Sequence, residues 1–123
     1  MEDHTRRSLY IFARRNLRFP FLETFDLPDS NLSCPKRERS TTAPQALALL
    51  NASDVIGAAK ALAARLEKET KSHDERVAAA YRLVLGRKPS ETEALIGRKF
   101  LDASPTSEFC RALFNLNEFV YLD

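Results

Sequence analysis

The sequence predicts a mainly α-helical domain, a small orthogonal array of four to five short helices with one or two short β-strands near the termini. The 123 residues include only 3 glycines, which disfavours a turn-rich β fold. Apolar residues recur at helical spacing after Ser40, and several of these stretches follow a local helix-start signal. We therefore expect one domain, divided into a loop-rich region over 1–40, a helical region over 41–117 and an extended tail over 118–123.

The first forty residues carry the strand and loop signals. Residues 8–12 read Ser-Leu-Tyr-Ile-Phe, a β-branched and aromatic run that is typical of a strand. Proline at position 20 disfavours helix at the residue before it. Residues 26–31 are dense in turn-forming residues and predict an ordered loop.

Helix starts in the second region are marked by capping boxes, in which a hydroxyl residue is followed three positions later by Glu or Gln. Pairs with this spacing are Thr42 and Gln45, Ser72 and Glu75, and Ser90 and Glu93. A fourth start is expected at Ser104, with Pro105 at the first helical position. Residues suited to helix ends are Asn51, Gly86 and the pair Asn115 and Asn117.

Apolar stripes support the same helices. A helix over about 53–70 would place six residues on one face: Val55, Ile56, Ala59, Leu62, Ala63 and Leu66. The next helix and the last one carry shorter stripes: Val77, Ala80, Tyr81 and Val84, then Phe109, Ala112, Leu113 and Leu116. The helix over 90–102 is less regular, with Gly97 inside it. Residues 68–74 are polar and predict a solvated connection.

The C-terminal tail alternates in character through Phe119, Val120, Tyr121 and Leu122, which predicts an extended segment. We expect this segment to pair with the strand at residues 9–12, closing the domain end to end. A separation well beyond the distance between paired strands would contradict this pairing.

Charge and motif content exclude several classes of function. Lys and Arg total 19 against 17 Asp and Glu, a net charge of +2 that does not by itself require nucleic acid or an anionic membrane. The apolar stretch over 9–13 is far shorter than the ~20 residues of a membrane span, so no membrane insertion is expected. No glycine-rich phosphate loop or HExxH spacing occurs, so the sequence predicts no cofactor and no metal.

The two cysteines, Cys34 and Cys110, are far apart and form no CxxC pattern. We interpret them as partly buried thiols. The alternative is a Cys34–Cys110 disulfide, which would require an oxidising compartment. Cys34 precedes a basic run that would lower its pKa, but no histidine is near it in sequence, so a catalytic cysteine is disfavoured.

Seven arginines lie in the N-terminal region, with aromatic residues interspersed among them. They are Arg6, Arg7, Arg14, Arg15, Arg18, Arg37 and Arg39. We interpret them as partners in ion pairs within the chain or between domains, and nucleic-acid binding is the alternative. Asp26 and Asp29 flank a Leu-Pro pair in the loop. Paired carboxylates suit acid–base or metal chemistry, but here turn capping is the preferred interpretation.

Two long stretches carry a family resemblance. The first runs from Arg6 through Phe25-Asp26-Leu27-Pro28-Asp29 and Cys34-Pro35-Lys36-Arg37 to Ser40–Asn51, and the second from Tyr81 through Gly86-Arg87-Lys88-Pro89-Ser90 to Tyr121. They resemble the C-terminal segment of the planctomycete PSD-one domain family of unknown function. The resemblance implies a C-terminal part of large exported proteins that often carry cytochrome-c-like modules. The haem attachment motif CxxCH is missing here, so no redox role is carried over.

Together these features predict a non-catalytic structural or interaction module. Its expected interface residues are Arg6, Arg7, Arg15, Asp26, Asp29, Arg37, Thr41, Gln45 and Asn51. The expected partners are upstream domains of the same parent protein or another protein, with self-association a further expectation. The resemblance implies an exported or periplasmic parent, whereas a stand-alone product would be cytoplasmic. The alternative function is part of a composite enzyme or redox site completed upstream, with contributions from Asp26, Asp29 and Arg37.

Overall fold

The computed structural model describes residues 24–25 and 43–120. Residues 43–120 form six helices and no strand: α1 (Ala43–Asn51), α2 (Ser53–Glu69), α3 (His73–Leu85), α4 (Glu91–Ala103), α5 (Thr106–Phe114) and α6 (Asn117–Val120). The chain divides into two compact units, 1–45 and 46–123. Most of the first unit lies outside the described residues, and the account below concerns the second.

The mainly helical prediction is confirmed, but its strands are not found among the described residues. The strand predicted at residues 8–12 lies outside them. The predicted extended tail is wrong over its described part, because residues 118–120 belong to α6. The amides of Phe119 and Val120 both donate to the carbonyl of Leu116, at 2.9 and 3.2 Å, so the chain turns helically here instead of extending.

Four helices build the core of the second unit. α2 packs chiefly against α5, and α3 packs against α4. Apart from Leu66, α2 buries small alanines, and these allow close approach of the larger side chains of α5. The core residues are Ala59, Ala63, Leu66, Val77, Ala80, Tyr81, Leu101, Phe109, Cys110 and Leu113. Eight of these ten belong to the predicted apolar stripes, and Cys110 directly follows one of them, Phe109. The tenth, Leu101, lies on the less regular helix α4.

Gly97 explains why the stripe of α4 is irregular. A Cβ atom at this position would lie 3.0 Å from both Cγ atoms of Val77 and 3.3 Å from Cζ of Phe109. These distances are shorter than ordinary van der Waals contact. Gly97 is therefore the point at which the α4 backbone closely approaches α3 and α5, and a side chain there would collide with buried neighbours.

The predicted helix boundaries agree with the structure at most described positions. The Ser72 and Ser90 hydroxyls accept the amides of Glu75 and Glu93, so both are N-caps. Gly86 ends α3 with φ 70°, the left-handed conformation that favours glycine. α1 ends at the expected Asn51, and its predicted cap, Thr42, lies outside the described residues.

Two boundaries differ from the prediction. Pro105 is the N-cap of α5 and not its first residue, because its extended backbone (ψ 150°) directs its carbonyl to the amides of Glu108 and Phe109. The polar connection expected over 68–74 is only 70–72, since α2 continues to Glu69 and α3 begins at His73. Polar residues at these helix ends face solvent and do not interrupt the helices.

Over the described residues no single helix is long and apolar enough to cross a membrane. The bent pair α1 and α2, which meet at 49°, satisfies the length and hydropathy criteria only when taken together.

Candidate functional site

The predicted interface residues fall largely outside the part of the chain that the structure describes. Gln45 and Asn51 are described, both in α1: Gln45 is 4% exposed and Asn51 is exposed. The predicted residues that lie outside are Arg6, Arg7, Arg15, Asp26, Asp29, Arg37 and Thr41. Their grouping into one interface therefore stays a prediction.

Cys110 is a fully buried, free thiol. Burial, assisted by the charge of Glu67, raises the pKa of this thiol to about 11. A thiol with a raised pKa is a poor nucleophile, so Cys110 acts in packing. Cys110 is free, as the preferred interpretation expects for this residue. Cys34 lies outside the described residues, so the alternative of a Cys34–Cys110 disulfide stays a prediction.

The most organised polar group among the described residues surrounds Arg87, in the turn that joins α3 to α4. Its Nη1 and Nη2 atoms donate to the two carboxylate oxygens of Glu93, at 2.8 and 2.7 Å. Its Nε and Nη2 atoms donate to Glu118 of α6, at 2.6 and 2.7 Å. The remaining Nη1 hydrogen goes to the carbonyl of Lys88, at 3.1 Å. All five N–H donors of the guanidinium are therefore engaged within the chain.

Local sequence positions this group. Gly86 reverses the chain after α3, which brings Arg87 beside the first turn of α4. Glu93 is the third residue of that helix, and its carboxylate also accepts the amide of Ser90 at 2.7 Å, completing the capping box. The guanidinium carbon of Arg87 lies 5.5 Å from the centre of the Tyr81 ring, within the range of a cation–π contact. We call Arg87, Glu93, Glu118 and Tyr81 the Arg87 cluster.

Electrostatics in the Arg87 cluster follow from these bonds. Hydrogen bonds from Arg87, then from the Ser90 backbone, lower the pKa of Glu93 to about 2. The pKa of Glu118 is lowered by the same guanidinium. Burial, then the charge of Glu93, raises the pKa of Tyr81. Both carboxylates are thus ionised at neutral pH and the tyrosine is neutral.

The guanidinium of Arg87 has no hydrogen left to donate to a substrate phosphate or carboxylate while α6 is in place. It ties the α3–α4 turn, the start of α4 and α6 into one connected group. This role was not predicted from the sequence, in which the clustered N-terminal arginines give the more conspicuous signal. The local signal that could have revealed it is an arginine directly after a helix-ending glycine and six residues before the Glu of a capping box.

A second and weaker polar group lies at the other end of α3 and α4. His73 Nδ1 is 2.9 Å from Asp102 Oδ1, and Arg98 Nη1 is 3.5 Å from Asp74 Oδ2, all with exposed side chains. Within residues 24–25 and 43–120, no three His, Cys, Asp or Glu side chains are grouped to hold a metal ion.

Comparison with families of known proteins gives a match. The model of a family described as PSD1, protein of unknown function (DUF1553), matches residues 1–101. No curated protein and no solved structure matches the chain significantly. The family match includes Arg87 and Glu93 of the Arg87 cluster and ends before Glu118. Because it covers well over half of the 123 residues, the chain belongs to the PSD1 family of proteins of unknown function.

Proposed function

We propose that the chain is a non-catalytic structural and interaction module of a larger, exported protein, and that it binds the upstream domains of that protein. The sequence resemblance supports the parent context. The proposal concerns the fold as a binding element and assigns no reaction to it.

The observation that carries the proposal is that the fold itself uses the most strongly oriented polar groups of the second unit that the structure describes. Arg87 donates all five of its hydrogens internally. The Ser72 and Ser90 hydroxyls cap helices, and the Cys110 thiol is buried. A catalytic site needs a nucleophile or base that can reach a substrate, and these groups are committed to structure.

Exposed apolar side chains support the interaction part of the proposal. Leu47 and Leu50 lie one helical turn apart on α1, at 57% and 37% exposure. Leu95 and Ile96 are adjacent on α4, at 55% and 60% exposure. Apolar groups that recur on one element in this way are typical of contact surfaces.

The test uses the polypeptide encoded directly upstream of Met1 in the same reading frame. Co-purification followed by light scattering and calorimetry should show a one-to-one complex with this chain. Two double variants test the exposed apolar residues: one replaces Leu95 and Ile96 with Ser, and the other replaces Leu47 and Leu50 with Ser. At least one of them should bind the upstream polypeptide about tenfold or more weakly. Lys99→Ser, an exposed polar change on α4, is the matched control and should leave the affinity unchanged.

Three results would contradict the proposal. One is a reading frame that begins at Met1, and another is the absence of a complex with the upstream polypeptide. The third is hydrolase or redox turnover of the joined protein that disappears on replacing Asp26, Asp29 or Arg37. This last result would establish the composite-site alternative.

A further inference from the structure

We propose that α6 is a releasable strap, and that its release uncovers a docking site for a peptide segment carrying a carboxylate next to an aromatic side chain. The site consists of the Nε and Nη2 edge of Arg87 together with the ring of Phe114. The inference rests on the proposed function, because it treats the chain as an interaction module.

Few contacts hold α6 in place. The helix has four residues, and none of them is buried. Glu118 binds Arg87 through two hydrogen bonds, and the ring of Phe119 packs on that of Phe114 with centroids 5.1 Å apart. The side chains of Arg87 and Glu118 remain 39% and 46% exposed. A single helical turn is not stable alone, so α6 depends on these two contacts and opens separately from the core.

Release of α6 leaves a preformed receptor. Arg87 keeps its two bonds to Glu93 and its bond to the Lys88 carbonyl, so the guanidinium stays in place. The Nε hydrogen and one Nη2 hydrogen become free, and these two parallel donors match the oxygens of one carboxylate. Phe114, which packs against the core, loses the ring of Phe119, the residue next to Glu118, and its ring becomes free for another contact.

The charge of the site favours a carboxylate over a phosphate group. Arg87 and Glu93 together are neutral, so a dianion would meet the Glu93 carboxylate without a compensating charge. A single carboxylate is what Glu118 itself supplies. The aromatic requirement follows from Phe114, whose ring would regain a tilted ring contact of the kind that Phe119 now makes. A partner segment with Glu followed by an aromatic residue fits both conditions.

The first test measures opening in the unmodified chain by amide hydrogen exchange. The amides of Phe119 and Val120 should exchange at least about a hundredfold faster than those of Val77 and Ala80 in the core. Equal rates would mean that α6 opens only when the whole unit unfolds, and this result would overturn the proposal.

The second test measures binding to a full-length variant with Glu118→Ala and Phe119→Ala. The probe is a synthetic peptide of residues 115–123, and its control is the same peptide with Glu118→Gln. The peptide, followed through the Arg87 Nε–H and Phe114 amide resonances, should bind the variant at least about tenfold more tightly than the unmodified chain, whose strap occupies the site. The Gln peptide should bind at least about tenfold more weakly. Core amide resonances of the variant report that it is folded.

A third variant distinguishes paired hydrogen bonds from the guanidinium from simple attraction between opposite charges. Arg87→Lys added to the Glu118→Ala, Phe119→Ala variant keeps the charge but loses the paired donors, and should reduce peptide affinity by about tenfold. Arg82→Lys, an exposed change on α3, should not. The inference is overturned if the peptide binds the unmodified chain and the Glu118→Ala, Phe119→Ala variant equally, if the Gln peptide binds equally well, or if the variant does not bind the peptide. If the upstream complex still forms in that case, the proposed function survives without it.

Discussion

The two ends of the α3–α4 hairpin are held together by different chemistry. At the turn end, Arg87 makes five hydrogen bonds and joins Glu93 to Glu118. At the open end, where α3 begins and α4 finishes, His73 and Asp102 share one contact at 2.9 Å. A second open-end pair, Arg98 and Asp74, is 3.5 Å apart.

From this difference we expect the number of oriented bonds per charge to matter more for stability than the number of charged pairs. A paired fork restricts the orientation of both partners, and the short turn already holds Arg87 and Glu93 close together. The open-end side chains reach across from separate helices, are exposed and are screened by water. We therefore expect the turn end to hold the hairpin and the open end to contribute little.

The largest expected effect comes from the packing between the two ends. Gly97→Leu would place a side chain against Val77 and Phe109, where a Cβ atom alone lies 3.0–3.3 Å from them. Because Val77 is buried and β-branched, its side chain cannot easily rotate away from the new one. We expect a loss of about 3 kcal/mol in the free energy of unfolding. Urea denaturation measures it.

Gly57→Leu is the matched control for this change. Gly57 lies inside α2, and no atom beyond its own stretch of helix lies within 4 Å of the position that a Cβ would occupy. Removing glycine from a helix interior should raise stability by about 0.5–1 kcal/mol. A loss at Gly57 as large as that at Gly97 would show that the loss at Gly97 does not come from its close contacts with Val77 and Phe109.

The next largest effect is expected from breaking the turn end. Arg87→Met keeps most of the length of the side chain and removes all five donors, leaving Glu93 and Glu118 without their shared cation. The urea midpoint at pH 7 should fall further than it does for Arg98→Met at the open end. An equal fall in the two variants would remove the distinction between the ends.

The pH dependence of the stability tests the same comparison between the two ends. The pKa of Glu93 is lowered from 4.5 to about 2, and that of Glu118 is lowered too. A carboxylate whose pKa is depressed by folding stabilises the protein above its unfolded pKa and loses this contribution as the pH falls. The stability difference between wild type and Arg87→Met should therefore be constant above about pH 5 and shrink between pH 4.5 and about 2. A difference that persists undiminished at pH 2 would contradict this assignment.

Removing the helix N-caps should lower the stability by a similar amount at both ends of the hairpin. Ser90 accepts the Glu93 amide at 3.3 Å and Ser72 accepts the Glu75 amide at 3.2 Å. Ser90→Ala and Ser72→Ala should each cost about 1 kcal/mol in urea denaturation. If only one substitution were costly, capping would contribute to the difference that we attribute to Arg87.

The smallest effect is expected at the open end. His73→Ala and Asp102→Asn should each change stability by less than about 0.5 kcal/mol, because an exposed pair gains little over its contacts with water. Urea denaturation of both variants and of the double variant tests this. A coupling energy above about 1 kcal/mol in that cycle would make the two ends equivalent.

Features that depend on a few neighbouring residues could be predicted from the sequence. The Ser72 and Ser90 caps, the Gly86 helix end and the apolar stripe of α2 all follow from hydrogen-bonding capacity, backbone freedom and helical spacing. The C-terminal tail shows where such reasoning fails. Alternation in Phe119 and Val120 favours an extended segment, but backbone bonds to Leu116 and contacts with Phe114 and Arg87 hold a helical turn instead.

The sequence by itself determined the helical class, most helix boundaries and the family to which the chain belongs, because each depends on short-range pattern. Only the tertiary structure decided which arginine matters in the described unit and why Gly97 lies inside a helix. Arg87 and Glu118 are 31 residues apart, and Gly97 meets Val77 and Phe109 from two other helices. Contacts of this kind depend on how the helices pack against each other, and local residue spacing does not determine that packing.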